Sequence, residues 1–115
     1  STLRCQVTSI TALSDARDKK DVEDSNYGLN VIDSLRPVTF TWDHREESEN
    51  KGKKDVGFIA QELQEVDDDF LRLVYAENPE KLEATYGRLI PVMVKAIQEL
   101  KAEVDSCKKN KCNCN

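Results

Sequence analysis

A heptad register near the C-terminus constrains this chain more than any other feature. Ile90, Ile97 and Val104 lie seven apart, and Met93, Leu100 and Cys107 repeat that spacing three places later. Such an a/d pattern predicts a helix with one apolar seam. Gln98, Glu99, Lys101, Glu103 and Asp105 keep its other faces polar. Pro91 falls near the helix start, where a missing N–H costs least. Two kinds of partner fit the seam: further copies of the helix, or the chain's own domain. Strict seven-residue spacing favours a supercoil between copies. Leu89, Val92 and Val94 widen the apolar face at the start, where the helix is expected to meet the rest of the chain. β-branched a positions with Leu at d favour, by themselves, two strands rather than three.

The remainder of the 115 residues fits one small domain. At 38% hydrophobic and 34% charged it is poor in apolar residues, so copies of the chain are expected to supply part of the core. Leu3, Cys5 and Val7 alternate with polar residues and predict a strand. Ser14 to Asp24 reads as a charged loop. Val31, Ile32 and Leu35 predict a helix over 27–35, which Pro37 ends. Val38 to Trp42 is β-branched and aromatic and predicts a strand. Asp43 to Asp55 is nearly all polar and reads as a long hairpin tip or mobile arm. Val56 to Ile59 returns as its partner. A short helix over 60–66 follows, then short strands around Leu71 to Tyr75 and Leu82 to Thr85. Strands and short helices followed by one long helix make an α+β chain with the helix segregated at one end.

A net charge of -5 argues against nucleic acid, whose partners are basic. No apolar run reaches the ~20 residues of a membrane span. Ser1 to Leu13 lacks the basic start and apolar stretch of a signal peptide. No cofactor is expected. Cys107, Cys112 and Cys114 crowd the C-terminal tail with Lys and Asn. Their spacing is a poor match to zinc patterns, and reactive or interchain-pairing thiols fit better. His44 has no metal-spaced neighbours, and Asp67 to Asp69 lacks the Gly and distal Glu of a calcium loop. No metal site is expected.

The chemistry-bearing candidate is Ser14-Asp15-Ala16-Arg17-Asp18-Lys19. A serine hydroxyl is a weak nucleophile until a base takes its proton. Lysine serves as that base when its pKa falls from about 10.4 toward ~7–8. Equally, Ser-Asp before charged residues makes a capped turn, with the hydroxyl satisfying a backbone N–H. Local chemistry leaves both open.

Four more blocks follow this one: Leu35-x-Pro37-Val38-x-Phe40-x-Trp42, Gly57-Phe58-Ile59-Ala60-Gln61-Glu62-Leu63, Tyr86-x-x-Leu89-Ile90-Pro91-Val92 and Ala96-Ile97-Gln98-Glu99-Leu100. In this order, across Ser14 to Val104, the chain resembles the C-terminal intramolecular chaperone domain of endosialidase-type phage tailspikes and tail fibres. A similar domain occurs in a membrane-tethered transcription factor. The resemblance implies a homotrimer built on a C-terminal helical bundle, seamed here by Ile90, Met93, Ile97, Leu100 and Val104. It implies a mobile hairpin arm, matched by Asp43 to Asp55. It also implies self-cleavage before the motif serine by a serine–lysine dyad. That assigns Ser14 as nucleophile, Lys19 as general base and Leu13–Ser14 as the scissile bond. Asp15 and Arg17, with Gln61 and Glu62, would support the site. The expected organisation is 1–13 as the end of an upstream fibre, 14–107 as the chaperone domain and 108–115 as the tail. Such a chain works within a viral tail-fibre or spike precursor, assembled in the host cytoplasm. Two other outcomes share the fold: a non-cleaving trimerisation knob kept on its fibre, and a domain whose cleavage releases a transcription factor. Two positions depart from the family. Asp18 stands where an apolar residue is usual, and a carboxylate facing Lys19 would hold it as ammonium. Asp21 stands where asparagine is common.

Overall fold

The computed structural model describes residues 6–45, 47–67 and 69–110. Its elements are a 3-10 turn Ala16–Asp18, α1 (Leu29–Ile32), β1 (Val38–Thr41), β2 (Lys54–Gly57), α2 (Ala60–Val66), β3 (Val74–Tyr75), β4 (Glu83–Ala84), a 3-10 turn Tyr86–Arg88 and α3 (Leu89–Lys109). Strands and short helices precede one long helix, so the chain is mixed α and β, as the order of sequence patterns predicts.

β1 pairs antiparallel with β2, Val38 opposite Gly57 and Thr41 opposite Lys54. Along β1, Val38 and Phe40 turn inward and the two threonines outward, the period-two rule at work. The hairpin continues past the strands. Trp42 N–H donates to the Lys53 carbonyl at 2.8 Å, and Gly52 N–H donates to the Trp42 carbonyl at 2.7 Å. Gly52 sits at φ 88, a conformation open to glycine at no steric cost. β3 and β4 form a second antiparallel pair, Val74 opposite Ala84. This ribbon is lengthened by Thr85, whose N–H donates to the Leu73 carbonyl at 2.8 Å.

The core is small. Leu63 of α2, Leu73 before β3 and Leu89 of α3 are buried together, with Leu35, Phe58, Leu71, Val74 and Ala84 packed around them. Leu73 is anchored by polar contacts as well as by packing: its N–H donates to the Asp67 carboxylate at 2.6 Å. Asp67 caps the end of α2, its N–H bonded to the Leu63 carbonyl.

α3 spans about 30 Å at ~1.5 Å per residue. Its buried residues are Leu89, Val92 and Ala96, and they stop there. α1, with Val31 buried, packs against α3. The Glu99 carboxylate of α3 accepts a hydrogen bond from Leu29 N–H at 2.8 Å, satisfying one of the donors a helix start leaves open.

Three expectations are corrected. Residues 6–8 form no strand and run on to Leu13 without regular structure, because no neighbouring strand pairs with them; residues 3–5 lie outside the described residues. The helix expected over 27–35 is only Leu29–Ile32, closed by a turn at Asp33 and Ser34. The returning strand expected over Val56 to Ile59 is instead Lys54–Gly57, without Phe58 and Ile59, because its register follows β1 rather than its own hydrophobicity.

Candidate functional site

The 3-10 turn Ala16–Asp18 folds the Ser14–Lys19 motif into a compact loop. Asp15, not Ser14, is the capping residue: its carboxylate accepts from Arg17 N–H at 2.8 Å. The Arg17 guanidinium then grips the same carboxylate, Nε to Oδ1 at 3.1 Å and Nη2 to Oδ2 at 2.7 Å. Lys19 N–H closes the turn on the Ala16 carbonyl at 3.1 Å. This leaves the serine hydroxyl out of the cap, and the lysine side chain reaches back to it. Lys19 Nζ donates to Ser14 Oγ at 2.7 Å. Amine and hydroxyl thus sit at the separation a nucleophile and its base require.

Charge is partitioned by the same contacts. The guanidinium bond holds Asp15 below the usual carboxylate range and raises Arg17 further. The neighbouring negative charge is therefore committed to Arg17 rather than to Lys19. Asp18 is exposed, and among the described residues it forms no ion pair with Lys19. Asp21 has φ 55, in the left-handed region that asparagine tolerates well. That backbone gives a physical reason for asparagine at this place.

No residue from Ser14 to Asp24 is buried, and Leu13 is 81% exposed. The pair is presented at the surface of the single chain.

Gln61 and Glu62 lie elsewhere. Glu62 is clasped by Arg36, Nε to Oε1 at 2.9 Å and Nη2 to Oε2 at 2.5 Å. The pair ties α2 to the segment before β1, holds Glu62 below its ordinary pKa and raises Arg36. Arg36 was not among the expected site residues. Its signal is Pro37, which forces the preceding residue into an extended conformation and out of a helix.

Gln61 instead lines an open cleft of about 1300 Å³ between the hairpin and residues 78–86, with Phe40, Trp42, His44, Phe58 and Tyr86 among its walls. Trp42 packs edge-on against Phe40 and face-on against His44, at 4.8 and 4.9 Å between ring centres. Its indole N–H donates to Asp55 at 3.1 Å. Gly57 gives Tyr86 its room, since a Cβ there would stand 3.0 Å from the phenol oxygen. Arg45, in the loop that joins β1 to β2, donates to the Glu80 carbonyl across the cleft.

Cys107 is disulfide-bonded, while Cys112 and Cys114 lie outside the described residues. Among the described residues no cluster of metal-ligating side chains forms, and no helix is long and apolar enough to cross a membrane.

A family model described as chaperone of endosialidase matches residues 14–72, just over half of the chain. The match opens at Ser14 and takes in the Ser14–Lys19, Leu35–Trp42 and Gly57–Leu63 blocks; the helical blocks lie beyond it. Searches of curated proteins and of solved structures gave no match.

Proposed function

The chain belongs to the chaperone of endosialidase family, and from that premise we propose that it drives trimerisation of an upstream fibrous segment and then cuts itself away at Leu13–Ser14. The observation that carries the cleavage reading is the 2.7 Å contact between Lys19 Nζ and Ser14 Oγ. The neutral lysine takes the hydroxyl proton as Ser14 Oγ attacks the Leu13 carbonyl carbon. The Ser14 nitrogen then leaves, protonated by the lysine, and an ester joins Leu13 to the Ser14 side chain. Water hydrolyses that ester, giving a Leu13 carboxylate and the free hydroxyl. Burial of Lys19 against a neighbouring copy would disfavour its ammonium form and favour this step.

Assembly rests on α3. Ile90, Met93, Val94, Ile97, Leu100 and Val104 are between 44% and 65% exposed. Beyond Ala96 no residue of the helix is fully buried in its own chain. An isolated helix of that length is marginal in water, and so long an apolar stripe marks an interface. Three copies joined there raise the effective concentration of the fibre strands they carry. Fibre strands pair slowly, because non-local contacts cost entropy before they return stability. Removing the chaperone afterwards leaves a fibre that persists by its unfolding barrier. We place this step in a viral tail-fibre or spike precursor, before release from the host cytoplasm.

The test is intact mass on the chain with an N-terminal tag, compared with Ser14→Ala and Lys19→Ala. The expected result is a fragment beginning at Ser14 from the unchanged chain, with both variants whole. An unchanged chain that stays whole yet sediments as a trimer overturns cleavage and makes the domain a permanent knob.

A further inference from the structure

Resting on the assembly just described, we propose that the cleft between the hairpin and residues 78–86 receives the Gln6–Leu13 segment of a neighbouring copy as an added strand. Both sides of this fit are visible in the single chain.

The segment has the chemistry of a strand and pairs with no strand among the described residues. Gln6 to Leu13 carries no charged residue, in a chain that is 34% charged. Val7, Thr8, Ile10 and Thr11 are β-branched and favour extended pairing. Yet the segment forms no strand, and Val7, Ile10 and Leu13 are 55%, 86% and 81% exposed.

The cleft has the complementary need. Its aromatic residues offer apolar side chains a surface to pack on, beside charged residues that include Asp43, Arg45 and Glu80. It is bounded by residues of both two-stranded sheets, Phe40 of β1 and Glu83 and Ala84 of β4. Two-stranded sheets are marginal alone and leave backbone groups at their edges. Strand addition is the ordinary remedy, with main-chain bonds for affinity and pockets for alternate side chains. One polar atom in the wall points the same way. His44 Nε2 is buried without a hydrogen-bond partner, which is costly unless an occupant supplies one. The peptide groups of an uncharged strand do so. Within one chain the segment stands outside the cleft, whereas association along α3 sets copies side by side.

The test places a benzophenone amino acid at position 10 or 13, both exposed, in the whole chain carrying Ser14→Ala to keep the segment attached. Unlabelled and 15N-labelled chains are mixed before assembly and irradiated, and the crosslinked peptides are mapped by mass spectrometry. The expected result is mixed-isotope crosslinks joining position 10 or 13 to residues 40–61 or 78–86. Crosslinks between position 10 of one copy and position 10 of another would assign the segment to a seam of its own and overturn the proposal. Crosslinks within one chain only would overturn it too. Sedimentation of the same sample separates the two readings. A trimer with crosslinks outside the cleft removes this proposal alone, whereas a monomer removes the assembly reading with it.

Discussion

At the scale of the residue, Asp15 does more for the site than its exposed position suggests. It caps the turn, binds Arg17 at two points and so shapes the loop that sets Lys19 against Ser14. An exposed ion pair contributes little to global stability, so its effect belongs to positioning. Asp15→Ala is expected to slow cleavage on the order of tenfold, with the trimer unchanged by sedimentation. Because the folded carboxyl titrates below its ordinary value, its contribution is fully present above that value. It is lost only as pH falls through the lowered one. A carbon-detected titration of Asp15 should therefore give a midpoint below the usual aspartate range, and Arg17→Ala should raise it only part of the way, since the N–H of residue 17 still donates to the carboxylate. Asp21 makes a second residue-level prediction. At φ 55, Asp21→Asn should be neutral or slightly stabilising, whereas Asp21→Val should cost about 1–2 kcal/mol, measured by chemical denaturation. The Ser-Asp-x-Arg-x-Lys residue types pointed to both a turn and a dyad. Only the folded loop shows that Asp15 takes the capping role and leaves the hydroxyl for Lys19.

At the scale of the element, α1 and α3 are joined by a polar clasp that periodicity does not reveal. Glu99 lies on the heptad helix between apolar positions and reads as a solvated face residue. Its carboxylate instead receives Leu29 N–H, and Gly28 leaves the space for it. A Cβ at Gly28 would run into the Glu99 carboxylate and stand 2.8 Å from Lys95 Cγ. Gly28→Ala should destabilise the domain by about 1–3 kcal/mol, and Glu99→Ala by about 1 kcal/mol, both read from thermal melts. The two losses should not add in the double variant, because both act through one contact. Helix α2 and strand β1 were legible from local pattern, since each buries a face of its own. The N-terminal alternation was equally clear, yet residues 6–8 form no strand. A strand exists only where another chain segment supplies its hydrogen bonds, and propensity does not supply a partner.

At the scale of the whole molecule, α3 buries some of its apolar residues in its own chain and leaves the others exposed. Leu89, Val92 and Ala96 are buried in the chain, while the a/d positions face outward. Adjacent substitutions should therefore act in opposite ways. Ile97→Asp, at an exposed position, should leave the body folded and yield monomers by sedimentation. Ala96→Leu, at a position 4% exposed, should overpack the α1 contact and cost about 1–3 kcal/mol. The heptad spacing and the order of elements were determined by the sequence alone, whereas the residue types at Ser14 and Lys19 left a turn and a dyad both open until the folded loop set them in contact. The first two depend on residues near one another along the chain, where periodicity and turn chemistry act directly. The tertiary structure alone decided which stripe of α3 is spent within the chain, that Arg36 holds Glu62 and that the arm and residues 78–86 enclose an aromatic cleft. Those outcomes turn on contacts between segments dozens of residues apart, which form only when packing brings their surfaces together.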